Sequence, residues 1–285
     1  MCDPPHAVQG AKHKGEVIMT LMQSISKPQQ RPVLVTICGD SGMGKTSLAA
    51  TFPKPIFIRA EDGMQAIPDG QRPDAFPLIH DAKSLWEQIT AIIHEPHDYK
   101  TLVIDSVTAL ERLFLADVLA QDPKAKSINQ ALGGYGAGTA AVAAMHQRVR
   151  KGAGLANEKR GMHVVFVAHA DVETMKLPDA DDYMRYSLRL PAKSLPPYVD
   201  DVDVVGFVRL EMFTKGDEGE RKRAISTGDR ELITYASASC VSKNRYGITD
   251  ALPFKVGENP LAGVIPALRS TITTKNITAT NEGAE

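Results

Sequence analysis

The sequence predicts an α/β protein with a mainly parallel central sheet, flanking helices and an antiparallel C-terminal extension. Three observations carry that expectation. Five short apolar runs rich in β-branched residues, at 33–38, 55–60, 75–79, 101–105 and 163–169, read as strands buried on both faces. Helix-length stretches lie between several of them, which is the pattern of crossover connections. After residue 198 the texture changes to longer strand-like runs without intervening helices.

The elements follow in order. Residues 1–30 form an N-terminal extension in which Pro4, Pro5 and Pro28 surround one short amphipathic piece, EVIMTLMQSI. The core spans 31–255 and begins with the strand VLVTIC. In KSLWEQITAII, Leu85, Ile89, Ile92 and Ile93 share one helical face, and Ser84 with Glu87 forms a candidate capping box. SVTALERLFLADVLAQ (106–121) and GTAAVAAMHQRVRK (138–151) read as two further helices. DVDVVGFVRLEMF, ERKRAISTG and ELITYASASCV compose the antiparallel extension, with a turn at KGDEGE. Residues 256–285 are a C-terminal tail, partly disordered, that ends in the Thr-rich TITTKNITATNEGAE.

Composition excludes several classes. The 285 residues are 43% hydrophobic and 24% charged, ordinary for a globular chain. No apolar run is long enough for a transmembrane helix, and the N-terminus lacks the apolar centre of a secretory signal. Cys2, Cys38 and Cys240 are too scattered for a disulfide framework or a zinc site. The expectation is a cytoplasmic protein without a membrane partner. A net charge of −1 advertises no polyanion either.

The chemistry concentrates in GDSGMGKTS. Gly39, Gly44, Lys45 and Thr46 satisfy G-x-x-x-x-G-K-[ST], and Gly39, Asp40, Ser41, Gly42, Met43, Gly44, Lys45, Thr46 and Ser47 make up the loop. Its glycines let backbone N–H groups turn inward on phosphate oxygens, its lysine reaches the β and γ phosphates, and its threonine hydroxyl ligates magnesium. An apolar strand leads in and a helix start leads out, as the motif demands. The implied ligands are ATP and Mg2+. TLVIDS supplies Asp105 at a strand end as the second magnesium residue. Ser106 follows it where many such ATPases carry a water-activating glutamate. The base must then come from elsewhere, and the acidic pair after PIFIRA is the candidate, Glu61 first and Asp62 second. A solvated turn carrying EDG is the structural alternative.

In this order of motifs, with FIRAEDG and VIDSVTAL close in residue type, the chain resembles the RecA-type recombinase core. The resemblance implies that Glu61 is the catalytic glutamate and that His169, ending VVFVAH, senses the γ-phosphate and relays to a DNA-binding loop. KNR within VSKNRYGITDALPFK resembles the recombinase segment that crosses a subunit interface, which would make Lys243 and Arg245 trans-acting groups on a neighbour's ATP. Two features depart from full recombinases: only sixteen positions separate Lys45 from Glu61, and no room remains for added DNA-binding domains. A core this compact looks like the phage RecA-like ATPases grouped with single-strand annealing proteins, the Sak type. The resemblance covers residues 31–255 and would place such a protein in the host cytoplasm.

Two segments correspond to the recombinase DNA loops. NQALGGYGAG (129–138) holds Tyr135 and precedes Arg148, Arg150 and Lys151. Residues 170–197 carry Lys176, Arg185, Arg189 and Lys193 with Tyr183 and Tyr186 interleaved. Basic groups with aromatics suit sequence-tolerant single-strand binding. Five acids outnumber the four bases in that second segment, so a mixed-charge surface loop is the competing reading; the basic half is YMRYSLRLPAK. The function expected is a DNA-stimulated ATPase acting in phage recombination or single-strand annealing, on single-stranded DNA and in a head-to-tail oligomer. The phage analogy also implies a single-stranded-DNA-binding protein as partner. The alternatives are a nucleotide-gated module that recruits replication proteins, and a helicase or helicase loader.

Overall fold

In the computed structural model, residues 25–27, 30–215 and 223–269 are described. The chain divides into units 1–30 and 31–285, and the sheet, its helices and the candidate site all belong to the second. The N-terminal extension lies almost wholly outside the described residues, as do the KGDEGE turn beyond Lys215 and the Thr-rich end.

The all-apolar run after Pro32 becomes β1 (Leu34–Gly39), with every residue buried. The loop that follows opens α1 (Lys45–Ala50), and the chain returns through β2 (Pro55–Arg59) and β3 (Asp74–Ala75). Next come α2 (Ala82–His94), β4 (Thr101–Asp105), α3 (Val107–Gln121) and α4 (Ala137–Arg160). β5 (His163–Leu177) and β6 (Ala180–Leu188) form a hairpin, and α5 (Pro196–Val199) leads to β7 (Val204–Lys215), β8 (Arg223–Ile233), β9 (Lys243–Asn244) and β10 (Leu252–Phe254). The sheet order is β10-β8-β7-β1-β5-β4-β2-β3. From β7 to β3 every pairing is parallel; β8 on β7 and β10 on β8 are antiparallel. The expected fold class is thus the observed one.

Alternation along the strands divides the core between two faces. Leu34, Ile56, Ile58, Ile104 and Phe166 point to α2, α3 and α4, whereas Val35, Ile37, Phe57, Val103 and Val165 point to the α1 side.

Several elements differ from expectation for identifiable reasons. The helix at 82–94 is capped by Asp81, whose side chain accepts from Ser84 N at 2.8 Å, so Ser84 is the third helical residue rather than the cap. α4 runs nine residues further than expected and stops where Gly161 takes φ +64°. The expected strand 75–79 pairs only over Asp74–Ala75, although Phe76 N and Ile79 N still bond β2 carbonyls. β7 opens the extension, but its inner partner β1 is parallel, with Val35 beside Val204. Residues 170–188, expected as a loop, are the β5–β6 hairpin. In the C-terminal tail, Leu261, Ile265 and Leu268 are buried against Val33, Val35 and Phe254.

A buried polar network ties α3 to α4 and to the segment before β7. Glu111 Oε2 accepts from Ser194 Oγ at 3.2 Å and lies 2.8 Å from His146 Nε2, and His146 Nδ1 lies 2.8 Å from the Tyr198 hydroxyl. Glu111→Ala would leave Ser194 and the His146 ring without that acceptor. The expected cost is about 3 kcal/mol in urea denaturation, and Glu111→Gln, which keeps an acceptor, should cost clearly less.

Candidate active site

Parallel pairing brings the C-terminal ends of four strands together. Gly39 lies beside His169, Val167 beside Asp105, and Asp105 beside Arg59, two residues before Glu61. Residues distant in sequence therefore converge at one end of the sheet, where open α/β folds bind ligands. The convergence lines a cavity of about 450 Å³ that the loop shares with Glu61, Asp105, His169, Arg230 and Val256.

The loop's glycines are required for two separate reasons. A Cβ on Gly39 would sit 2.6 Å from the Val208 carbonyl oxygen, so only glycine lets β1 lie this close to β7. Gly42 and Gly44 have φ of +78° and +88°, in the left-handed region that glycine enters without strain. Gly44 is the N-cap of α1 and no side chain caps it, leaving the first-turn N–H groups turned to the cavity's edge. Lys45 Nζ donates to Asp40 O at 2.8 Å across the loop. Burial lowers the lysine pKa, while the Cys38 thiol, Asp105, Glu61 and Asp40 act in the opposite direction.

Thr46 Oγ1 donates to Asp105 Oδ2 at 2.7 Å. Asp105 is 2% exposed, and burial pushes its carboxyl up to about 6 against the opposing hydrogen bond from Thr46. One carboxylate and one hydroxyl, with no ion-pair partner for the acid among the described residues, suit a hard cation such as Mg2+ that takes its remaining ligands from phosphate and water. A Cβ at Gly63 would lie 3.0 Å from Thr46 Oγ1 and 3.6 Å from Asp105 Oδ2. The last residue of EDG is thus a glycine that keeps this pair open. The Asp105–Ser106 peptide is cis.

The raised Asp105 pKa has a consequence for stability. The fold penalises the charged form, so the penalty is complete above the folded pKa near 6 and absent below the unfolded value, about 4. Asp105→Asn should therefore stabilise the nucleotide-free protein by about 2 kcal/mol at pH 8, with the gain shrinking to nothing by pH 4. Thermal melts at the two pH values check this.

Glu61 and His169 form the other polar pair. Glu61 Oε1 is 2.9 Å from His169 Nε2, and His169 Nδ1 is 3.4 Å from Ser41 Oγ in the loop. The His169 hydrogen bond holds the Glu61 carboxyl below its usual range, burial opposes that, and a hydrogen bond from Ser106 reinforces it. Ser106 thus bonds to the acid instead of replacing it, and also caps α3 by accepting from Ala109 N. Asp62 lines the same cavity, but its carboxylate accepts from Arg59 and Gln65.

The remaining sequence candidates lie elsewhere. Lys243 and Arg245 follow the β9–β7 pairing at Val204 and Val205, at the opposite end of the sheet from the loop. Lys243 Nζ donates to Asp200 O, and Arg245 pairs with buried Asp203 at 3.0 Å, which also holds Arg31. Burial and Arg245 lower the Lys243 pKa. Tyr135 is fully exposed on a run, Leu132 to Gly136, in which all five residues have positive φ. A Cβ on Gly136 would lie 3.9 Å from Lys193 Nζ, so the two candidate DNA segments meet there. Arg185 pairs with Glu173 at 2.7 Å, and Tyr186 stacks on Phe207. Tyr183 and Arg189 lie on and just after β6. Arg148 lies 4.2 Å over the Trp86 ring, and Arg150 donates to Asp201 O at 3.0 Å. Neither arginine joins Tyr135 and Lys193.

Arg230, Val256 and Gly63 were not foreseen. Gly63 was legible only as a turn residue, and the other two reach the cavity from the far C-terminal strands, which no local motif signals.

Residues 31–246 match the AAA domain family. The chain belongs to that family. This AAA domain has the α/β fold of a P-loop nucleoside triphosphatase. It is 24% identical over 195 residues to the SPbeta prophage-derived uncharacterized protein YorG of Bacillus subtilis (strain 168), covering 66% of the present chain. The chain spans about half, 53%, of that relative's length. A crystal structure of the RadB recombinase aligns over 80% of this chain and 90% of its own, with 12% identity and a TM-score of 0.45. Among the described residues no helix is long and apolar enough to cross a membrane.

Proposed function

We propose that this AAA domain is a RecA-like ATPase of the phage single-strand annealing type, which binds single-stranded DNA as a head-to-tail oligomer held together by ATP. The observation that carries the proposal is the Glu61–His169 pair at 2.9 Å, set beside the phosphate loop and in contact with Ser41. The loop N–H groups and Lys45 bind the triphosphate. Thr46 and Asp105 would hold Mg2+, which when bound offsets charge on the terminal phosphates. Glu61 orients the attacking water and accepts its proton as the new bond to the γ-phosphorus forms and the bond from that phosphorus to the β–γ bridging oxygen breaks, with ADP as the leaving group. A carboxylate kept anionic holds the water in line and takes its proton late, once attack on phosphorus has made that water acidic.

His169 connects this chemistry to DNA. It sits where β5 leaves the parallel sheet, and its carbonyl accepts from Arg189 N at the base of the hairpin. Movement of the ring with the γ-phosphate would therefore reach the hairpin and Lys193. Tyr135, Lys193 and Arg189 supply an exposed aromatic and cations for base stacking and phosphate contact, and Tyr183 lies further out on the hairpin, paired with Met175. Lys243 and Arg245, at the opposite end of the sheet, would serve a neighbour's site in a head-to-tail stack. A single-stranded-DNA-binding protein fits as companion. ATPase activity measured with and without single-stranded DNA, over a range of protein concentrations, tests the reading. Turnover should rise with both; a rate indifferent to both would sink it.

A further inference from the structure

We propose that Arg230 is a nucleotide-binding residue acting in cis, a clamp on the α and β phosphates from the side of the cavity opposite Glu61. The inference rests on the nucleotide reading above and goes beyond its motif residues. Arg230 lies on β8, separated from the loop by the whole width of β7 in the sheet order. Its side chain nevertheless lines the cavity. The guanidinium reaches the loop at one point: a Cβ on Gly44 would stand 3.1 Å from Arg230 Nη1 and 3.3 Å from Phe254 Cε1.

Placement decides which phosphates it meets. Asp105, Glu61 and His169 occupy the cavity's other wall and define the γ end. Gly44 is the N-cap of α1, where the loop N–H groups gather on the phosphate chain. A cation arriving over Gly44 from β8 therefore meets the chain before its terminal phosphate. Among the described residues no ion pair involves Arg230, and the adjacent Glu231, which strand alternation turns to the other face of β8, is paired with Arg209 at 2.7 Å. A half-buried guanidinium without a carboxylate, facing an anion cradle, has the planar fork that phosphate oxygens accept two at a time. Position 254 supports it: buried Phe254 packs on Gly44, and β10 is paired to β8 with Phe254 beside Arg230, so strand and loop are held in fixed register.

The test is equilibrium binding of ADP and of ATP with Mg2+ to the full chain and to Arg230→Ala, with nucleotide-free melting temperatures read in parallel. Loss of one charge-assisted contact should raise Kd about tenfold or more for both nucleotides alike. Affinity equal to wild type overturns the proposal, and so does a loss for ATP with none for ADP, which would put the contact on the γ-phosphate. If Arg230→Ala melts lower, Arg230→Lys carries the test. It keeps the charge, so affinities between wild type and alanine are expected, and affinities as weak as alanine overturn the proposal. A wild-type chain that binds neither nucleotide overturns the underlying reading along with it, which separates the two failures.

Discussion

Glu61→Gln is expected to cut ATP turnover by about 10²- to 10⁴-fold while ATP affinity stays within a few-fold of wild type. Glutamine matches the carboxylate in shape and retains an acceptor for His169, but it cannot take a proton from water. The loop, Lys45 and the Thr46–Asp105 pair are untouched, so the phosphates are still held. The variant should accumulate an ATP-bound assembly that keeps its DNA. Asp62→Asn is the internal control for the alternative acid. Asp62 is engaged with Arg59 and Gln65, and its removal should change turnover less than threefold. Phosphate release and nucleotide binding on the same samples check both, and a reversed order of the two effects would reassign the base.

Arg245→Ala should produce the second large loss, about 10³-fold in turnover at protein concentrations where wild type is assembled. The reason is distance. Arg245 lies at the end of the sheet remote from its own loop, so any action on ATP must be on a neighbour's. In this structure its guanidinium, on a side chain 55% exposed, rests on buried Asp203, which Arg31 also pairs at 2.6 Å, so the aspartate keeps one cation when Arg245 turns to a phosphate. Binding of ATP to the dilute protein should survive, since the cradle is complete within one chain. Residual activity that no longer depends on protein concentration would show that the trans contribution has gone.

What could be read from the sequence was the local part. The cradle spans nine consecutive residues, and its strand and helix flanks are adjacent to it, so β1, the loop and α1 follow from pattern alone. Asp105 and Glu61 were legible because each sits at the end of an apolar run whose strand identity was clear. The composition of residues 170–197 gave no strand, since the hairpin carries charged and apolar residues on both of its faces. Arg148 and Arg150 illustrate another limit. Their spacing after the Gly-rich loop suggested a basic strip, but a helix rotates each residue by about 100° and aims the first at Trp86 and the second at Asp201. Arg230 was invisible because its approach to Gly44 depends on β8 packing across β7, a pairing that no local motif specifies.

The central claim is a composite site: Glu61 of one copy and Arg245 of the next on one ATP. Mixing the two inactive variants, Glu61→Gln and Arg245→Ala, tests it most directly. With random assembly about a quarter of the interfaces join an intact Glu61 to an intact Arg245, so an equal mixture should regain about a quarter of wild-type phosphate release. A mixture as inactive as its parents, measured where wild type is assembled and active, would contradict the account.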